Sequence, residues 1–238
     1  MGFISDFFRG ASCYFRGVRL LFSEPLLLAL SLVPILLTLA GLILIGWGSV
    51  SATGVLLEKL GIASIDYRQI AQALVLLLAL YLSYLVYLPV TRIFLAPFSE
   101  RLSIQTGKSL SGDAPVRNDR GVFVAILEGA KLVGFQLLIF LIVVLLTAAF
   151  PPAGIPVGII VTIFFCGVDF VDVPLSVSGL SFKEKLRLFG RRMPAMFGFG
   201  LAAYSLLSIP VINLIALPVG VIGATIMTSE EKHKGHAA

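Results

Sequence analysis

The chain has 238 residues, 58% hydrophobic and only 13% charged, with a mean hydropathy of +1.02. Soluble domains carry about 25% charged residues, so this composition excludes an ordinary soluble domain and points to an all-α integral membrane protein. The net charge of +5 reads as topogenic, because Lys and Arg gather in cytoplasmic loops; nucleic acid is not an expected partner.

Residues 1–24 carry Arg9, Arg16 and Arg19 and no small-residue cleavage site, so no cleavable signal is expected. Residues 3–22 read as an amphipathic interfacial helix. Ile4, Phe8, Phe15, Val18 and Phe22 recur at helical spacing, and Ser5, Arg9, Ser12, Arg16 and Arg19 recur on an opposite stripe. Aromatic residues on one face and arginine on another suit a helix at the headgroup level. Glu24-Pro25 ends or kinks it.

Residues 25–48 form the first expected span, about 36 Å long against ~30 Å of hydrocarbon. Residues 69–96 form the second, with Tyr81, Tyr84 and Tyr87 three residues apart and then Pro89, Arg92 and Pro97. A polar stretch with a turn at Ser111-Gly112-Asp113-Ala114-Pro115 follows. The pattern then predicts a hairpin over 121–168, a polar helix over 181–194 with Ser181 and Glu184 as a capping box, a second hairpin over 195–228 and a polar tail over 229–238. The whole chain is expected to form one membrane domain.

Two connections between apolar segments carry no charge: Phe150-Pro-Pro-Ala-Gly-Ile-Pro156 and Ser208-Ile-Pro-Val-Ile-Asn213. An apolar stretch that reverses at Pro and Gly without a charged loop need not cross a bilayer twice, and irregular backbone at membrane depth lines a cavity or is buried in protein. The return arm 153–168 gives only about 24 Å of helix. Both hairpins are therefore expected to penetrate partly. If each returns to its starting side, sixteen Lys and Arg lie on one face and two on the other, which predicts cytoplasmic N- and C-termini.

No nucleophile–base set, phosphate loop or metal-ligand spacing occurs, so neither enzyme activity nor a cofactor or metal is expected. Cys13 and Cys166 lie in separate apolar settings and read as small packed side chains; His233 and His236 read as tail residues. The best candidate site is Arg16-Gly17-Val18-Arg19. Arginine offers planar donors to an oxyanion, glycine lets backbone N–H groups approach an anion, and a helix starting there would add positive potential. The competing reading is a snorkelling, topogenic arginine pair. Asp169 and Asp172 stand one turn apart at a membrane boundary, where pairing with the nearby basic stretch competes with a pathway role. Asn213, beside Pro210, is a polar amide in an apolar tip and a second pathway or gating candidate.

Several runs resemble the CysZ-type sulfate transporters of bacterial inner membranes, related to the etoposide-induced-protein-like family: Gly17-Val18-Arg19-Leu20-Leu21 followed by Pro25 and Pro34, Ala96-Pro97-Phe98, Asp172-Val173-Pro174 with Gly179-Leu180-Ser181-Phe182, and Ile209-Pro210-Val211-Ile212-Asn213-Leu214 continuing through Pro218 to Gly223-Ala224-Thr225. The resemblance implies sulfate uptake supplying cysteine synthesis, two long spanning helices with two partly penetrating hairpins, a homo-oligomer in contact with membrane lipids, and a sulfate site at Gly17, Val18 and Arg19, with Arg16 as a further donor. Ser99-Glu100 stands where the family commonly has Asn-Gly, and Leu20 where some relatives carry a second arginine. A membrane-shaping or assembly-interaction protein is the alternative from another class, suggested by the amphipathic start and short hairpins.

Overall fold

The computed structural model describes residues 2–59, 73, 74, 76–78, 81, 96–110 and 122–235, and the regular structure among them is entirely helical. Helix α1 (Phe3–Ser23) passes through Glu24 into α2 (Pro25–Lys59), and α3 covers 96–110. Then come α4 (Val122–Ala149), α5 (Pro151–Val177), α6 (Phe182–Arg191), α7 (Met193–Leu207) and α8 (Pro210–Gly235). The chain divides into two compact units, Met1–Ser31 with Ser99–Ala238, and Leu32–Phe98. Most of the expected span 69–96 lies outside the described residues.

In the larger unit α1 packs on α7 and α8, and α5 packs on α4, α7 and α8. The α1 helix has three faces rather than two. Gly10, Cys13, Tyr14, Gly17 and Leu21 are buried, at spacings that place them on one stripe. Phe3, Ile4, Phe8, Phe15 and Phe22 are each more than half exposed, whereas Val18 packs at the edge of the core. The small residues decide the contact. A Cβ at Gly17 would stand 2.7 Å from the Val219 carbonyl oxygen and 2.8 Å from the Gly223 nitrogen, and one at Gly10 would collide with the Ala195 carbonyl. Gly198 likewise admits the Phe7 carbonyl, and Gly200 admits that of Ile163. Close backbone approach at small residues is how helices associate where surrounding lipid is as apolar as the side chains.

The first hairpin turns on one residue. Phe150 alone separates α4 from α5, and Pro151 and Pro152 occupy the first positions of α5, where a missing N–H costs nothing. The residues 151–156, expected as an irregular tip, are therefore helical. Gly154 lies flush against Thr147. The return arm is also longer than the expected 153–168, because α5 has 27 residues, about 40 Å of helix. It continues past Asp169 and Asp172, with Pro174 inside the helix, and ends at Ser178, where Gly179 at φ 69° closes it. Among the described residues, Leu127–Ala149 and Pro151–Val177 are long and apolar enough to cross a membrane. The outer surface of α4, including Leu137 at 64% and Leu145 at 60% exposed, is far too apolar to face water as a continuous strip.

The second hairpin turns at Ser208-Ile209, so Pro210 is the first residue of α8 and Asn213 sits in its first turn rather than in the tip. The side chains of Pro210 and Asn213, and those of 231–235, lie outside the described residues. With 15 residues, α7 reaches about 22 Å. The inner half of α8 is the centre of the core: Val219, Val221, Ile222, Ala224, Ile226 and Met227 are all buried.

Candidate anion-binding site

The four residues of the candidate site lie in the interior of α1, which starts at Phe3. No helix begins at Gly17, and its amide belongs to the helix ladder. The expected contribution of a helix start and open backbone N–H groups is therefore absent from this segment. Gly17 has a different task, bringing α1 against α8 at Gly223 and Val219.

The arginines divide by partner. Arg9 donates to Glu230 of α8 from Nε at 3.2 Å and Nη2 at 2.6 Å. Arg16 donates from Nη1 to the other carboxylate oxygen of Glu230. One carboxylate near the end of the chain thus joins two arginines near its start. Burial pushes the Glu230 carboxyl upward, but the hydrogen bonds and charges of Arg16 and Arg9 outweigh it and hold it below the usual carboxylate range. Arg19 is exposed and forms no ion pair with a described residue. Among the described residues it is the α1 arginine without a carboxylate partner, although the Arg16 side chain is itself 52% exposed. Beneath this group, Tyr14 is fully buried and donates to the Ala216 carbonyl at 3.0 Å. Burial first, and the Cys166 thiol second, raise its phenol above the ordinary range, so it remains a donor.

Asp172 is engaged elsewhere. Lys185 of α6, only 2% exposed, donates from Nζ to Asp172 at 2.6 Å and to Ser176 at 2.7 Å. Asp169 accepts from Gln136 of α4 at 2.7 Å. Ser181 and Glu184 form the capping box at the start of α6, and the Phe182 amide donates to Glu128 of α4. Together these bonds make a polar collar joining α4, α5 and α6. Glu230 and Lys185 were invisible as partners in the sequence, one lying in a polar tail and the other in a basic run, each far from what it touches.

Helices with apolar outer faces, small-residue contacts and a polar collar define the class: an all-helical membrane protein. A family model described as Sulfate transporter CysZ/Etoposide-induced protein 2.4 matches residues 13–218, and the chain belongs to that family. Proteins named Sulfate transporter CysZ are similar to it: one from Pseudomonas aeruginosa at 32% identity over 93 residues, covering 37% of this chain and 38% of that protein, and one from Vibrio parahaemolyticus at 28% over 151 residues, covering 58% and 60%. The matched stretches span less than two thirds of either relative.

Proposed function

We propose that this chain is a sulfate permease of a bacterial inner membrane, a homo-oligomer with cytoplasmic termini, supplying sulfate for cysteine biosynthesis. Family membership supports the substrate, and the observation that carries the site is exposed Arg19, without an ion pair to a described residue, beside two arginines held by Glu230. Sulfate must shed water to cross, and a guanidinium offers two parallel donors to its oxygens. In this reading Arg19 captures the anion. Arg16 adds positive potential muted by Glu230, and Gly17 and Val18 set the position of the arginine by packing. The path onward runs past the hairpin ends, with Pro210, Asn213 and Asp172 as pathway or gating residues. The collar supports partial penetration: from Gln136 and Asp169 to Phe150 the chain has roughly 14–19 residues, or about 21–28 Å of helix, short of ~30 Å.

The test is sulfate flux into liposomes holding the purified chain. A charge-assisted hydrogen bond contributes about 1.5–3 kcal/mol, so R19A lowers sulfate affinity roughly ten- to hundredfold while the protein elutes and melts as the wild type. Unchanged flux in R19A removes Arg19 from the mechanism. The exposed aromatic face of α1 favours a second reading, a membrane-shaping protein; wild-type liposomes that move no labelled sulfate but change curvature would select it.

A further inference from the structure

A separate basic concavity lies at the junction of α6 and α7. It is an open groove of about 550 Å³ lined, among the described residues, by Glu184, Arg187, Leu188, Arg191 and Arg192, three guanidinium groups against one carboxylate. Arg187 and Arg191 are four residues apart on one exposed side of α6, and neither forms an ion pair with a described residue. The opposite side of α6 is anchored through buried Lys185 and Phe189, so the arginine side is held outward rather than free to roll. Glu184 is turned toward Ser181, whose amide and hydroxyl both donate to it, at 2.7 and 2.6 Å, which diverts part of the one negative charge at the rim.

Position decides what fits. The concavity follows the polar end of α5 and precedes α7, which opens with exposed Met193 and continues through exposed Leu201 and Tyr204. It therefore stands where apolar helix gives way to charge, the depth of lipid headgroups. We infer that this concavity binds the phosphate of an acidic phospholipid, with Arg187 and Arg191 gripping the phosphate oxygens, Arg192 adding charge and the acyl chains lying along exposed Met193, Leu201 and Tyr204 of α7. A tetrahedral free ion shares the phosphate chemistry but makes no use of the adjoining apolar surface. The inference does not rest on sulfate transport, and its test does not measure flux.

The experiment titrates the full-length purified chain with phosphatidylglycerol or phosphatidylcholine and counts bound lipid by native mass spectrometry. Phosphatidylglycerol binds preferentially to the wild type. Each cation near a headgroup contributes about fivefold, so R187Q/R191Q loses roughly thirtyfold in affinity, with unfolding temperature unchanged. K183Q/K108Q removes the same charge at two exposed positions outside the concavity, measures the generic effect and loses clearly less. Equal binding of phosphatidylcholine, or an R187Q/R191Q loss no larger than that of K183Q/K108Q, overturns the inference. A third arm adds millimolar sodium sulfate or phosphate: the lipid stays bound if the site reads headgroup and chain together, and complete displacement overturns the inference in favour of a free-ion site.

Discussion

Glu230 sets which arginines of α1 are held in an ion pair. Its two oxygens are taken by Arg9 and Arg16, leaving Arg19 outward. The clamp also has a pH signature. The folded-state carboxyl titrates below its ordinary value near 4.3, so its stabilisation is fully present above that value and is lost as pH falls through the folded-state value. The side chain is 30% exposed, and with solvent screening the clamp contributes about 1 kcal/mol. E230Q therefore melts earlier than wild type at pH 7, and the difference closes on acidification below about pH 4. A gap that persists unchanged to pH 3 would mean that packing, not charge, holds α8 to α1. Arg16 and Arg19 are indistinguishable in sequence, because the residue that separates them is 214 positions from Arg16.

Helix contacts set the second scale. Gly17 is mid-helix, where glycine costs up to about 1 kcal/mol relative to alanine, and the gain from replacing it is opposed by the Val219 carbonyl at 2.7 Å. Backbone cannot yield as a side-chain tip can, so G17V destabilises by roughly 1–3 kcal/mol. A Cβ at Gly134 of α4 would meet none of the described residues within 4 Å, so G134A is neutral or stabilising. Thermal unfolding of both variants separates close packing from helix propensity; equal effects of the same sign would discard the packing account. At the collar, K185M strands Asp172 and Ser176 and costs about 3 kcal/mol, and adding D172N recovers part of it. An additive double variant would show that Lys185 and Asp172 do not depend on one another. The capping box of α6 was legible because it is a local pattern of four residues, whereas the buried state of Lys185 depends on Asp172 thirteen positions earlier and on the fold between them.

For the whole molecule the open quantity is depth. The complete helices α4 and α5 are long enough to cross, yet their polar collar is set inward from the helix ends. The proposed partial crossing places Phe150 inside the hydrocarbon. In a chain carrying C13S and C166S, F150C then resists a membrane-impermeant maleimide applied to either side of sealed vesicles. Rapid labelling from the side opposite the termini would show a full crossing. The reagent also reports orientation when a cysteine is placed at Ser5, which the cytoplasmic assignment leaves unlabelled from outside.

The amino-acid order alone determined the class of molecule, because hydropathy is additive along the chain. It marked Pro25, Pro151 and Pro210 as places where the chain breaks, since proline acts on its own neighbours, but not that Pro156, Pro174 and Pro218 would stand inside helices. It placed arginine at the start of the chain and polar residues at the hairpin bases, and its local motifs matched a family. Only the tertiary structure decided which of those groups remain unsatisfied. Burial of the Gly10–Gly17 stripe, capture of Arg16 by Glu230 and enclosure of Lys185 are all contacts between separated segments. Their energies depend on separation in space, which the fold sets and separation along the chain does not reveal.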